Sequence, residues 1–141
     1  GDVLRIGKRV FVGLSQRSNP AAIAQLRETL KPYGYSVTGV AIQDCLHLKS
    51  GVTALSDDTV LVNPLWIDAS CFSDYRQIEI DADEEHAANV VRVHADILMP
   101  ASFPKTQAII QAAGFRVHTV DLSEIQKAEG AITCCSVLFT G

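Results

Sequence analysis

The chain has 141 residues, nearly half of them hydrophobic and a fifth charged, with a net charge of −4. That is enough sequence for one domain with its own core, and the balance excludes a disordered chain. The mild acidity, with no block of like charges, argues against a nucleic-acid partner, and no apolar run approaches the length of a membrane span.

Two short β-type runs open the chain, Val3 to Gly7 and Arg9 to Leu14, with Gly7-Lys8 as a tight turn between them. Ser15 to Asn19 is a polar loop. Asn19-Pro20 starts a helix, because Asn caps and Pro in the first turn needs no donor. Ile23, Leu26 and Leu30 share its apolar face. Lys31-Pro32-Tyr33-Gly34 ends it, and Tyr35 to Ile42 alternates as a strand. A second round follows: strands at Gly51 to Leu55 and Thr59 to Asn63, a short or irregular helix over Pro64 to Phe72, and a half-buried strand at Gln77 to Ile80. Asp83-Glu84-Glu85 reads as a solvated acidic turn. The third round has strands at Asn89 to His94 and Ile97 to Ala101. A helix opened by Pro104 turns Ile109, Ile110 and Ala113 inward, with Gly114 as its C′ residue, and Phe115 to Val120 closes the unit. Ser123 to Glu129 is a short helix or turn. Gly130 to Phe139 is β-branched and apolar, and reads as a last strand with Cys134 and Cys135 on opposite faces.

The order of elements therefore repeats as three ββαβ units of about forty residues, although their sequences are not alike. Units of this kind need neighbours to bury their faces, and open ends leave unpaired edges. A self-contained three-layer α/β sandwich is the alternative. The chain begins Gly1-Asp2-Val3-Leu4 without a Met and enters a strand at once, which suggests a fragment: residues 1–141 as a single partial domain.

Cys45, Cys71, Cys134 and Cys135 show no CxxC spacing, and no signal-peptide pattern is present. Reduced thiols and a cytoplasmic location follow. A His between two leucines (Leu46-His47-Leu48), far upstream of a Cys, is how a Cys–His pair looks before folding joins it. By itself, however, His47 is more often a satisfied core histidine, Cys134 a small core hydrophobe and Arg17 a solvated loop charge. Cys45, Cys71 and Cys135 keep the core reading. His86, His94 and His118 read as structural or surface groups without zinc-motif spacing, so no metal is assigned.

Leu46-His47-Leu48-Lys49-Ser50, followed much later by Gly130-Ala131-Ile132-Thr133-Cys134-Cys135-Ser136, resembles the dimethylarginine dimethylaminohydrolases of the guanidine-modifying, or amidinotransferase, superfamily. Gly1-Asp2-Val3-Leu4 resembles the end of that family's Glu-x-Gly-Asp motif, and Ser15-Gln16-Arg17-Ser18-Asn19 its Ser-x-Arg-Thr-Asn loop. Ala87-Ala88-Asn89 and Ile97-Leu98-Met99-Pro100-Ala101 match in the same order. The resemblance implies a pentein-type α/β propeller of five ββαβ modules, of which this chain carries the last three. It implies hydrolysis of Nω-methylated arginine to citrulline and (di)methylamine, with Cys134 as nucleophile, His47 as general acid and base, Arg17 on the substrate's α-carboxylate, and no cofactor. Arginine deiminases and amidinotransferases share the fold but usually carry His-x-Asp where this chain has His47-Leu48-Lys49. They remain alternatives, as does a non-catalytic half-propeller that pairs with a second copy or with missing N-terminal modules. The family's guanidinium-binding carboxylates lie mostly upstream of Asp2, so the isolated chain is expected to be inactive.

Overall fold

The computed structural model describes residues 1–139. Its first unit runs β1 (Val3–Ile6), β2 (Arg9–Leu14), helix α1 (Pro20–Leu30) and β3 (Ser36–Ala41). β1 pairs antiparallel with β2, and β2 pairs parallel with β3, in register from Arg9↔Ser36 to Leu14↔Ala41. A one-turn helix α2 (Leu48–Gly51) leads into the second unit. That unit has β4 (Val52–Ala54), β5 (Thr59–Val62) and β6 (Arg76–Glu79), and the third has β7 (Val91–Val93), β8 (Asp96–Pro100), α3 (Pro104–Ala112) and β9 (Arg116–Val120). Each forms a three-stranded sheet with the same antiparallel-then-parallel order. The expected ββαβ repeat is present three times, with one substitution. Between β5 and β6 the helix shrinks to a single 3-10 turn, Ala69–Phe72, capped by the Asp68 carboxylate.

The helix ends follow local chemistry. The Asn19 side chain accepts from Ala22 N–H at 2.9 Å. Gly114 follows α3 with φ +99°, a conformation open to a residue without Cβ. The Phe103 side chain makes no cap at the start of α3; a distant side chain does that work. Glu84 lies nearly buried, and its two oxygens accept from the Lys105 and Thr106 N–H groups at 2.9 and 2.7 Å. The acidic turn is thus not simply solvated: one of its carboxylates is drawn to the unpaired donors and positive end of a helix.

The core is layered by strand alternation. Val10 and Val12 of β2 face Ile23 of α1, while Phe11 joins Leu48, Val60, Val62 and Phe72 between the first two units. Phe11 and Phe72 rings stack at 4.5 Å, so the short 3-10 turn fills the place a helix would take. One residue along β5, Leu61 faces the other way and packs with Ile97, Met99 and Ile110 of the third unit. Each unit is seated on the next.

The last expected strand is absent. Residues 132–135 instead form consecutive turns, with Cys134 N–H on Ala131 O, Cys135 N–H on Ile132 O and Ser136 N–H on Thr133 O. The β-branched run finds no strand partner among the described residues. Its one deeply buried side chain, Ile132, packs on Val91 and Leu122, and side-chain bonds take up the backbone of Thr133. Short α4 (Ser123–Gln126) precedes this loop. No described helix is long and apolar enough to cross a membrane.

Candidate active site

His47 and Cys134 line one cleft of about 560 Å³, together with Lys49, Trp66, Asn89, Phe103 and other residues of all three units. His47 stands at the head of α2 in extended backbone, half-buried, between exposed Leu46 and fully buried Leu48. Leu48 anchors the turn in the core and so fixes where the imidazole stands. Burial lowers the His47 pKa below its ordinary value; Asp2 opposes this, and Arg17 and Lys49 add to it. The imidazole is therefore neutral at neutral pH and free to accept a proton.

Asp2 organises the floor beside His47. Its Oδ2 accepts from the Ser15 and Ser18 hydroxyls at 2.6 and 2.9 Å, and its Oδ1 from Leu48 N–H at 3.2 Å. Burial alone would raise this carboxyl, but the three hydrogen bonds outweigh it and the pKa falls below 3.8. Asp2 thereby ties the Ser15–Ser18 loop to the His47 turn. Arg17, carried on that loop, is exposed and is not among the cleft-lining residues, although its charge reaches His47.

Cys134 is exposed on its turn, and so is Cys135, which corrects the expectation of a core thiol there: on consecutive turns neither side chain is folded under a sheet. Cys45 and Cys71 are half-buried, packed beside the first core cluster. Burial, and then the Asp2 charge, raises the Cys45 thiol; burial and the Asp68 charge raise Cys71. All four thiols are free.

Other cleft residues escaped the sequence reading. The Trp66 and His86 rings meet edge to face at 4.9 Å and form an aromatic wall. Asp44 and Glu129, both with left-handed backbone, add carboxylates that favour a cation. Asn89 enters the sequence reading only through the Ala87-Ala88-Asn89 motif. Among the described residues no group of three His, Cys, Asp or Glu side chains could hold a metal ion.

Three mutually seated ββαβ units, with a histidine and a cysteine from opposite ends of the chain on one cleft, define a partial α/β propeller of the pentein type. No family model matches the chain. It is 41% identical over 139 residues to the N(G),N(G)-dimethylarginine dimethylaminohydrolase of Streptomyces coelicolor, covering 97% of this chain and 52% of the relative. To the enzyme of that name from Pseudomonas aeruginosa it is 34% identical over 139 residues, covering 99% and 55%. A solved cysteine-to-serine variant of the Pseudomonas aeruginosa protein, complexed with citrulline, aligns with a TM-score of 0.82 at 32% identity, covering 94% of this chain and 52% of that one. A dimethylarginine dimethylaminohydrolase with a histidine-to-glycine change, as an adduct with S-methyl-L-thiocitrulline, aligns at 0.85 and 32% identity, covering 95% and 53%. Over nearly all of its own length the chain is a homologue of the dimethylarginine dimethylaminohydrolases, as the motifs suggested. It spans about half the length of the curated relatives it matches.

Proposed function

We propose that this chain is a single partial domain carrying the nucleophile and the proton carrier of a dimethylargininase. The observation that carries the reading is the placement of His47 and Cys134 on one cleft. The cysteine and histidine substituted in the two solved structures are separated by as many positions as Cys134 and His47 are here, which supports the same pairing.

Guanidinium is a resonance-stabilised, poor electrophile and needs a strong nucleophile. Neutral His47 takes the Cys134 thiol proton, and the cationic substrate beside the sulfur favours the thiolate. The thiolate forms a C–S bond to the guanidinium carbon. The C–N bond to dimethylamine then breaks, and the imidazolium returns its proton to the departing amine. Neutral His47 next removes a proton from water, whose oxygen attacks the S-alkylthiouronium carbon. The C–S bond breaks with its electron pair on sulfur, the imidazolium proton returns to the thiolate, and the proton left on the product oxygen passes to solvent, releasing citrulline. Asp44 and Glu129 attract the cation, and Arg17 grips the substrate carboxylate through its planar fork of donors. The substrate is a small molecule, the compartment is the cytoplasm, and the site needs no cofactor.

The test is citrulline release from asymmetric dimethylarginine, by this chain and by any longer form that contains it, with dimethylamine measured alongside. Equal amounts of the two products, abolished by Cys134→Ser, are expected. An active protein whose Cys134→Ser variant keeps its rate would sink the proposal. Ammonia from arginine instead of dimethylamine would indicate a deiminase.

A further inference from the structure

The two chemical groups belong to elements that are far apart in the chain, yet one side chain touches both. Asn89 is nearly buried, in the segment entering β7. Its Nδ2 donates to Lys49 O at 2.8 Å, in the turn headed by His47, and to Thr133 Oγ1 at 3.0 Å, beside Cys134. Its Oδ1 accepts from Thr133 N–H at 3.1 Å. A primary amide is the one uncharged side-chain group of this size that both donates twice and accepts, and here both donors and the oxygen are engaged. Remove the amide and the Cys134 turn keeps Ile132 as its remaining buried anchor.

We infer that Asn89 is a positioning residue that sets the Cys134 thiol against the His47 imidazole, by clamping Thr133 to the carbonyl of Lys49. The inference rests on the proposed pairing of His47 with Cys134. A clamp of this kind acts on geometry alone: it touches neither the sulfur nor the imidazole, but small displacements of reacting groups cost rate steeply. Thr133 is the second half of the clamp and supplies both an acceptor and a donor.

The test reads each thiol separately in the whole chain, by iodoacetamide alkylation at pH 7 followed by peptide mass analysis. Cys135, also exposed and one residue away, is the internal reference. If His47 activates Cys134, the wild-type Cys134 rate exceeds the Cys135 rate by about tenfold, and His47→Gly removes the excess. Asn89→Ala and Thr133→Val should each bring the ratio down toward one, while Thr133→Ser keeps it within about twofold of wild type. Cys45 and Cys71 should stay slow in both variants; a ratio that falls only together with a rise in their rates is general loosening and overturns the clamp. If Asn89→Ala fails to fold, Thr133→Val decides alone. A fast wild-type Cys134 with an unchanged ratio in Asn89→Ala or Thr133→Val overturns the clamp and spares the pairing. A wild-type ratio of one overturns the pairing and the clamp with it.

Discussion

Replacing Asp2 by alanine should cost far more than its place beside the amino terminus suggests. The carboxylate is nearly buried and is the acceptor for three donors. Leu48 is fully buried, so its N–H cannot recover a partner from water, and orphaning it costs about 2 kcal/mol. Ser15 and Ser18 are half-buried and regain water, so losing their charged acceptor adds only about 1–2 kcal/mol for the pair. A loss of about 3–4 kcal/mol follows for Asp2→Ala, a large share of a typical domain's 5–15 kcal/mol or so. Asp2→Asn keeps an oxygen for Leu48 N–H, while the hydroxyls turn to accept, so its cost is about 1 kcal/mol. Urea unfolding followed by circular dichroism measures both, provided the m-value is unchanged. The sign with pH is fixed as well. The folded-state pKa lies below 3.8, so the charge contributes fully above that pH and is lost as pH falls through the lowered value. The gap between wild type and Asp2→Asn should therefore close in acid. Equal losses in the two variants, or an Asp2→Ala loss under about 1 kcal/mol, would refute this account of the carboxylate.

Gly51→Ala would place a methyl 2.7 Å from Ile67 Cγ2 in the core, and should lower stability by about 1–3 kcal/mol in the same unfolding assay. Glu84→Ala removes the acceptor of two N–H groups at the start of α3 and should lower the melting temperature by about 5 °C, with Glu84→Gln recovering part of it. Under native alkylation, Cys45 and Cys71 should react more slowly than Cys134 and Cys135, because burial both shields these thiols and raises their pKa. His47 supplies a second pH signature. Its lowered pKa disfavours the charged form in the fold, so its contribution is fully present above 6.5 and is lost as pH falls below that value. In His47→Gln the wild-type decline in unfolding free energy between pH 7 and 5 should be smaller.

The repeat was legible because its signals are local. Alternation in β2 and β5, the Asn19-Pro20 start and the Gly114 stop each act within a few residues, and each appears where expected. What failed was decided at long range. The run from Ile132 to Cys135 has strand composition, but strands need partners, and Thr133 found Asn89 instead. The α2 turn is too short for periodicity to reveal, and its N–H acceptor lies 46 positions away in Asp2. Glu84 looked solvated because nothing in its own neighbourhood announces the helix it caps. The His47–Cys134 pairing came from the motif resemblance; spacing by itself said nothing of their common cleft. Asn89 was marked only by the Ala87-Ala88-Asn89 motif, which gave it no role, since an amide's worth depends on what folding puts beside it.

Three of the bonds that stitch the units around the cleft are of similar length. Asp2 reaches Leu48 across 46 positions, Asn89 reaches Lys49 across 40, and Asn89 reaches Thr133 across 44. Each spans about one repeat and none spans two, so the molecule is fastened neighbour to neighbour, like links rather than a net. Amide exchange should then be slowest in the middle sheet, whose Val60, Leu61 and Val62 are covered on both faces. Cys134 sits on the last link and His47 at the joint of the first two. A shift between units too small to register as unfolding would still separate them, which makes the chemistry a finer gauge of the chain's integrity than its melting curve.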